Sequence, residues 1–183
     1  MIRSKNDLIN CLMKDGENFK SVRKFKFLSR LHKNPIDDQI IIWRYIYALR
    51  HVEYHLNNRG IYHLFMQKVW LILLRHYSYK TGFQIPPNTI EEGLTIWHWG
   101  YLIINEKTKI GKNCTLYPGI VIGHKEAGGP SPVIGNNVFI GSGAKIFGGL
   151  TIGDNVAIAS NSVVTKNIPS NTVVGGVPSV IIK

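Results

Sequence analysis

Aliphatic residues recur at every sixth position near the C-terminus: Ile134, Ile140, Ile146, Ile152, Ile158 and Val164. Gly or Ala follows most of them. A period of six fits neither the 3.6 of an α-helix nor the 2 of a half-buried strand. It predicts a β-helix of stacked hexapeptides, with one side chain in six turned inward and small residues at the corners. A β-sandwich with chance spacing is the alternative, and six consecutive matches weigh against it.

The same frame extends backward through Ile122, Leu116 and Ile110 once Gly123 to Val133 is set aside. That segment, GHKEAGGPSPV, is rich in Gly, Pro and charge and reads as a loop extruded from the coil. Further back, Leu102, Ile96 and Ile90 keep the spacing of six. The step from Leu102 to Ile110 is eight, which places two extra residues near Asn105-Glu106-Lys107.

Residues 1–82 carry a different pattern. Asn34-Pro35-Ile36-Asp37-Asp38 resembles a helix start, with carboxylates at the positive end of the dipole. Ile42, Ile46, Leu49, Val52 and Leu56 then recur at helical spacing, and Asn57-Asn58-Arg59-Gly60 supplies a stop. A second helix is expected from about Ile61 to His76, and residues 1–33 are expected to be helical in part. The predicted division is 1–82, α-helical, and 83–183, β-helical.

Composition changes at the same place. Three of the 18 glycines lie in residues 1–82. That part holds 15 Lys and Arg against 6 Asp and Glu, whereas 83–183 holds 7 against 5. The basic half has no nucleic-acid motif, and Trp43, Tyr45 and Tyr47 fall within helix patterns, so nucleic acid is not the expected partner. A solvated face, an anionic membrane surface or phosphate-bearing ligands account for the charge. Cys11 and Cys114, one in each half, suggest neither a disulfide scaffold nor a zinc site. The first 30 residues lack an apolar run, so no signal peptide is expected. A cytoplasmic protein, held at the inner face of the membrane if the charge is used that way, is the expectation.

Five of seven histidines lie in the basic half. His51 and His55 are four apart on one helix face, a spacing able to hold metal. Lacking a third ligand, they read as surface or interface histidines, and no metal is expected. In the β-helical half, His98 stands two residues past Ile96 and between Trp97 and Trp99. That offset points its ring away from the coil interior, and the flanking indoles call for a ligand or a neighbouring subunit.

Gly93 to Asn105, with Ile110-Gly111-Lys112-Asn113-Cys114, resembles the serine acetyltransferase branch of the left-handed β-helix, or hexapeptide-repeat, acyltransferases. The ending Ser162-Val163-Val164-Thr165-Lys166-Asn167-Ile168-Pro169, then Gly175-Gly176-Val177-Pro178, is similar to the close of that superfamily. The resemblance spans about Phe83 to Lys183; over residues 1–82 it is weak. It implies a homotrimer, with trimers able to pair, and acetyl-CoA as co-substrate in the groove between coils. His98 falls on the family's catalytic histidine, a general base for an acceptor hydroxyl. Ser142, Ser160, Thr165, Lys166 and Lys183 fall on cofactor-binding positions.

Departures from the family bear on the acceptor. Gln84 stands where the family has an Asp that orients the histidine, leaving Gln84, Glu91, Glu92 or a main-chain carbonyl as candidates for that role. Trp97 replaces a second Asp, and Pro130-Ser131-Pro132 replaces the loop's Arg-His-Pro. Both changes remove counter-charges for a zwitterion. Trp97 and Trp99 offer flat faces suited to a sugar ring. The expected reaction is therefore O-acetylation of a sugar in surface-polysaccharide biosynthesis, with serine O-acetylation or amino-sugar N-acetylation as alternatives. His124, in a Gly-His pair beside the extruded loop, is expected as an acceptor contact or, less directly, as the base.

Overall fold

The computed structural model describes residues 1–19 and 38–183. The expected helix start at Asn34 to Asp37, and His32, lie outside the described residues. The chain divides into two units, Met1–Thr81 and Gly82–Lys183.

The first unit is helical. Helix α1 (Lys5–Asp15) opens on a capping box in which the Ser4 hydroxyl accepts from the Asp7 amide and Asp7 accepts from the Ser4 amide. A 3₁₀ turn follows at Gly16–Phe19. Helix α2 spans Asp38–Leu56, and α3 spans Ile61–Thr81, five residues beyond the expected end. Ring contacts pair His55 with His63 and both Tyr47 and His51 with Trp70, so α2 and α3 run antiparallel. Ile42, Ile46, Leu49 and Val52 are buried as the spacing predicts, but Leu56, at the helix end, is exposed.

Arg50 is buried in this unit and binds Asp15 at 2.7 Å and Glu53 at 2.9 Å. Burying a charge is tolerable only with such partners. His51 is half-buried and His55 buried, both in the contact between α2 and α3. His51 stacks on Trp70 with centroids 4.1 Å apart, and buried His55 meets His63 with their Nδ1 atoms 3.0 Å apart.

The second unit is a three-faced coil. One face holds β1 (Phe83–Gln84), β3 (Leu102–Ile104), β6 (Val121–Gly123), β9 (Lys145–Phe147) and β12 (Val163–Val164). A second holds β4 (Lys109–Ile110), β7 (Val133–Ile134) and β10 (Thr151–Ile152). The third holds β2 (Thr95–Ile96), β5 (Thr115–Leu116), β8 (Phe139–Ile140), β11 (Ala157–Ile158), β13 (Val173–Gly175) and β14 (Val180–Ile181). Every pairing is parallel except the closing β13–β14 pair.

The inward frame is confirmed with two corrections. Each coil turns two residues inward per hexapeptide, not one. Leu94, Cys114, Ile120, Val138, Ala144, Val156 and Ser162, each two places before a frame residue, are also buried. The other correction is the register. Ile104, not Leu102, pairs with Ile122, and Leu102 fills the position two before it. Leu116 pairs with Ile96 across 20 positions, whereas Ile122 lies 18 after Ile104. The two extra residues therefore lie between Ile96 and Ile104, not near Asn105-Glu106-Lys107. They form a bulge that contains His98.

One corner is held by stacked asparagines. Asn113, Asn137, Asn155 and Asn171 take left-handed φ and pass amide hydrogen bonds of 3.2, 3.0 and 2.9 Å along the axis. Asn tolerates that conformation better than other side chains bearing Cβ.

Candidate functional site

Register decides which side chains share a corner. Ile96, Leu116, Ile140 and Ile158 are paired in sequence across the third face. The residues two places beyond the last three, Pro118, Ser142 and Ser160, form one column at the corner where the chain leaves that face; His98 opens the bulge at that corner, and Gly100 is the bulge residue packed on Pro118. Ile104, Ile122, Ile146 and Val164 are paired likewise on the first face. The residues two beyond these are Glu106, His124, Gly148 and Lys166, a column at a different corner. Within one chain, His98 leaves the same face as Ser142 and Ser160, and His124 and Lys166 stand at another corner.

His98 is exposed and adopts φ 66°. The other non-glycine residues with positive φ are all asparagines, among the described residues. A histidine in that region costs backbone energy and needs surroundings that enforce it. Those surroundings are visible. The Trp97 amide donates to the Leu116 carbonyl at 3.1 Å, and the Gly119 amide donates to the Tyr101 carbonyl at 2.7 Å. Gly100, between them, has φ 145°, and a Cβ there would lie 2.8 Å from the Pro118 side chain.

The bulge is also held from outside the coil. The Lys145 ammonium donates to the carbonyls of Gly119 and Gly143, the latter at 3.0 Å. It also sits 3.4 Å from the Tyr101 hydroxyl and 5.4 Å from its ring centroid. Neither Lys145 nor Tyr101 is evident from the repeat. The one available signal is that Tyr101 continues the alternation begun by Trp97 and Trp99.

Trp97 is half-buried; Trp99 and Tyr101 are mostly exposed. The Ser142 hydroxyl donates to the Pro118 carbonyl at 2.8 Å, which ties two members of that column together. The Ser160 hydroxyl lies against Gly141, where a side chain would collide with it. Thr165, Lys166 and Lys183 are exposed. The Lys183 carbonyl accepts from the Val173 amide at 2.7 Å, which fixes the last residue against β13.

Of the candidate orienting groups, Gln84 is outward on β1, in register with Ile103. Glu92 binds Lys112 at 3.0 Å, and the bond raises the lysine's pKa. This carboxylate is thus engaged at another corner, beside Asn113.

His124 has a defined tautomer. Asn105 Oδ1 accepts from the Lys107 amide and the Ser131 hydroxyl, both at 2.9 Å. Its amide nitrogen therefore faces His124 Nδ1, 3.1 Å away, and that ring nitrogen is the acceptor. The ring proton lies on Nε2.

The fold and the corner geometry define a left-handed β-helix of the hexapeptide-repeat class. The family model for the bacterial transferase hexapeptide (six repeats) matches residues 131–166. A serine acetyltransferase of Staphylococcus xylosus is 38% identical over 135 residues, covering 63% of this chain and 62% of its own length. A solved serine acetyltransferase in complex with CoA superposes with a TM-score of 0.70 at 24% identity, covering 97% of this chain and 70% of that one. The Neisseria gonorrhoeae serine acetyltransferase in complex with serine gives 0.67 at 23%, covering 98% and 71%. Over about two thirds of its own length the chain is similar to serine acetyltransferases, a left-handed β-helix acyltransferase branch. It spans less than two thirds of the length of the curated relatives it matches.

Proposed function

We propose that this chain transfers the acetyl group of acetyl-CoA to a hydroxyl, with His98 as general base. The observation that carries this is His98 itself, held in left-handed backbone on a two-residue bulge at the corner that also bears Ser142 and Ser160. An imidazole so placed takes the proton from the acceptor hydroxyl as its oxygen attacks the thioester carbonyl. The tetrahedral intermediate then expels the CoA thiolate, which the imidazolium can reprotonate. A base of this kind supplies about 10²–10⁴-fold in rate.

His124 serves better as a donor than as the base, since its Nε2 carries the proton and its Nδ1 is occupied by Asn105. It stands on another corner of the same chain, as does Lys166. A complete site therefore needs a neighbouring copy to bring a second corner against the His98 corner. A homotrimer, the arrangement implied by the resemblance, supplies three such sites. Ser142, Ser160 and Thr165 would line the pantetheine arm, with Lys166 and Lys183 placed for the phosphates.

Serine is the acceptor that the relatives favour, since the matched curated proteins carry the name serine acetyltransferase. This reverses the preference for a sugar reached from sequence. A sugar remains the second reading because Trp99 and Tyr101 are exposed beside His98 and Pro130-Ser131-Pro132 brings no charge to the loop. Thiol release from acetyl-CoA with serine, simple sugars and nucleotide sugars decides between them. Turnover with serine alone supports the leading reading, turnover with sugars alone replaces it, and no turnover with any hydroxyl acceptor rejects O-acetylation.

A further inference from the structure

We infer that the outward face of α3 is a docking surface for an anionic lipid bilayer. Ile61, Phe65, Lys68, Ile72, Arg75 and Tyr79 fall within about 80° of one another around a helix of 3.6 residues per turn. All six are exposed, Ile61 to 89%, Tyr79 to 83% and Ile72 to 70%. The opposite side of the helix, with Trp70 and Leu74, faces α2 or the interior. An exposed apolar stripe of this length requires a cover.

Charge identifies the cover. Helix α3 contains Lys68, Arg75 and Lys80, all exposed, and no Asp or Glu. Of the other described carboxylates in this unit, Asp15 and Glu53 bind buried Arg50, Asp7 caps its helix, and Glu17 and Asp38 belong to other elements. A second copy laid α3 to α3 on this face would set cations against cations, with no carboxylate on either helix. Residues 20–37 of the same chain are no better suited, with Lys20, Arg23, Lys24, Lys26, Arg30 and Lys33 against Asp37 alone. A surface that is both apolar and anionic satisfies the stripe and its lysines together, as interfacial helices do. No described helix is long and apolar enough to cross a membrane. The helix therefore lies on the bilayer, with its aromatic and aliphatic groups at headgroup depth.

The test is sedimentation of the full chain with vesicles of phosphatidylcholine alone and of phosphatidylcholine with phosphatidylglycerol. The protein should partition to the anionic vesicles only, and added salt should weaken it. Lys68→Glu with Arg75→Glu should reduce partitioning at least about tenfold, and Phe65→Ser with Ile72→Ser should also reduce it. Retention in the supernatant with anionic vesicles, or equal uptake by both vesicle types, overturns the inference, and these wild-type measurements stand even if a variant misfolds. Uptake unchanged in well-folded variants also overturns it. If the variants instead dissociate an oligomer while vesicles take up nothing, the face is covered by a second copy and the inference fails.

Discussion

Lys145 holds Tyr101 from two coils further along the same face, its ammonium 5.4 Å from the ring centroid and 3.4 Å from the hydroxyl. The same ammonium binds the carbonyls of Gly119 and Gly143, so it ties the Tyr101 end of the bulge to the two following coils. Lys145→Met should leave the fold intact, cost about 1–3 kcal/mol and lower kcat more than it raises KM, because His98 would be less well held. Lys145→Arg should restore part of the rate. Equal kcat for Lys145→Met and the parent would show that the bulge is rigid without this tether.

His98 combines a strained backbone with the proposed chemistry, and the two can be separated. Asn accepts left-handed φ but cannot serve as a base at neutral pH. His98→Asn should therefore melt no lower than the parent while acetyl transfer falls by about 10²–10⁴-fold. A variant with near-normal turnover would exclude His98 as the base, whatever its stability.

The coil interior tolerates volume loss better than charge. Ile140 is fully buried between Leu116 and Ile158 in the register of the third face. Ile140→Val should cost about 0.5–1.5 kcal/mol. Ile140→Asp places a carboxylate where no partner exists and should prevent folding of the second unit. Soluble, protease-resistant Ile140→Asp protein would contradict the register.

The aliphatic period revealed the coil because one position per hexapeptide is nearly always Ile, Leu or Val. The second inward position was not visible, since a slot holding Leu94, Cys114, Ile120, Ala144, Val156 and Ser162 shares neither size nor chemistry. The bulge was misplaced for a related reason. Leu102 and Ile104 are both aliphatic and both buried, and only strand pairing tells which one belongs to the frame. His98 could be singled out from its indole neighbours, but its conformation could not, because no glycine or asparagine marks the turn. Lys145 and Tyr101 are 44 residues apart, and Asn105 and His124 are 19 apart. Such pairs meet only once the coil lengths are known.

Thiol chemistry offers a check on the burial of both units. Cys114 is fully enclosed, and burial pushes its pKa up to about 11. Cys11 is also buried and lies 3.7 Å from Asp15 Oδ2. A thiol reagent at mildly alkaline pH should find neither cysteine in the native protein and both after denaturation. Rapid native labelling at Cys114 would mean that the coil opens between β4 and β5.

Acid should weaken the helical unit first. His55 Nδ1 faces His63 Nδ1 at 3.0 Å, so one ring donates and the other accepts. A second proton would set two donors against each other. Burial, then His63 and His51, lower the His55 pKa, and burial likewise lowers that of His51. The unfolded chain therefore binds protons that the folded unit refuses. Stability is complete above the ordinary histidine value of about 6.5 and falls as pH drops below it toward the lowered folded values. Helical signal followed by circular dichroism at fixed temperature should decline over that window before the β-helix melts. His55→Asn with His63→Asn should flatten the decline, and an unchanged acid profile in that variant would assign the transition to other groups.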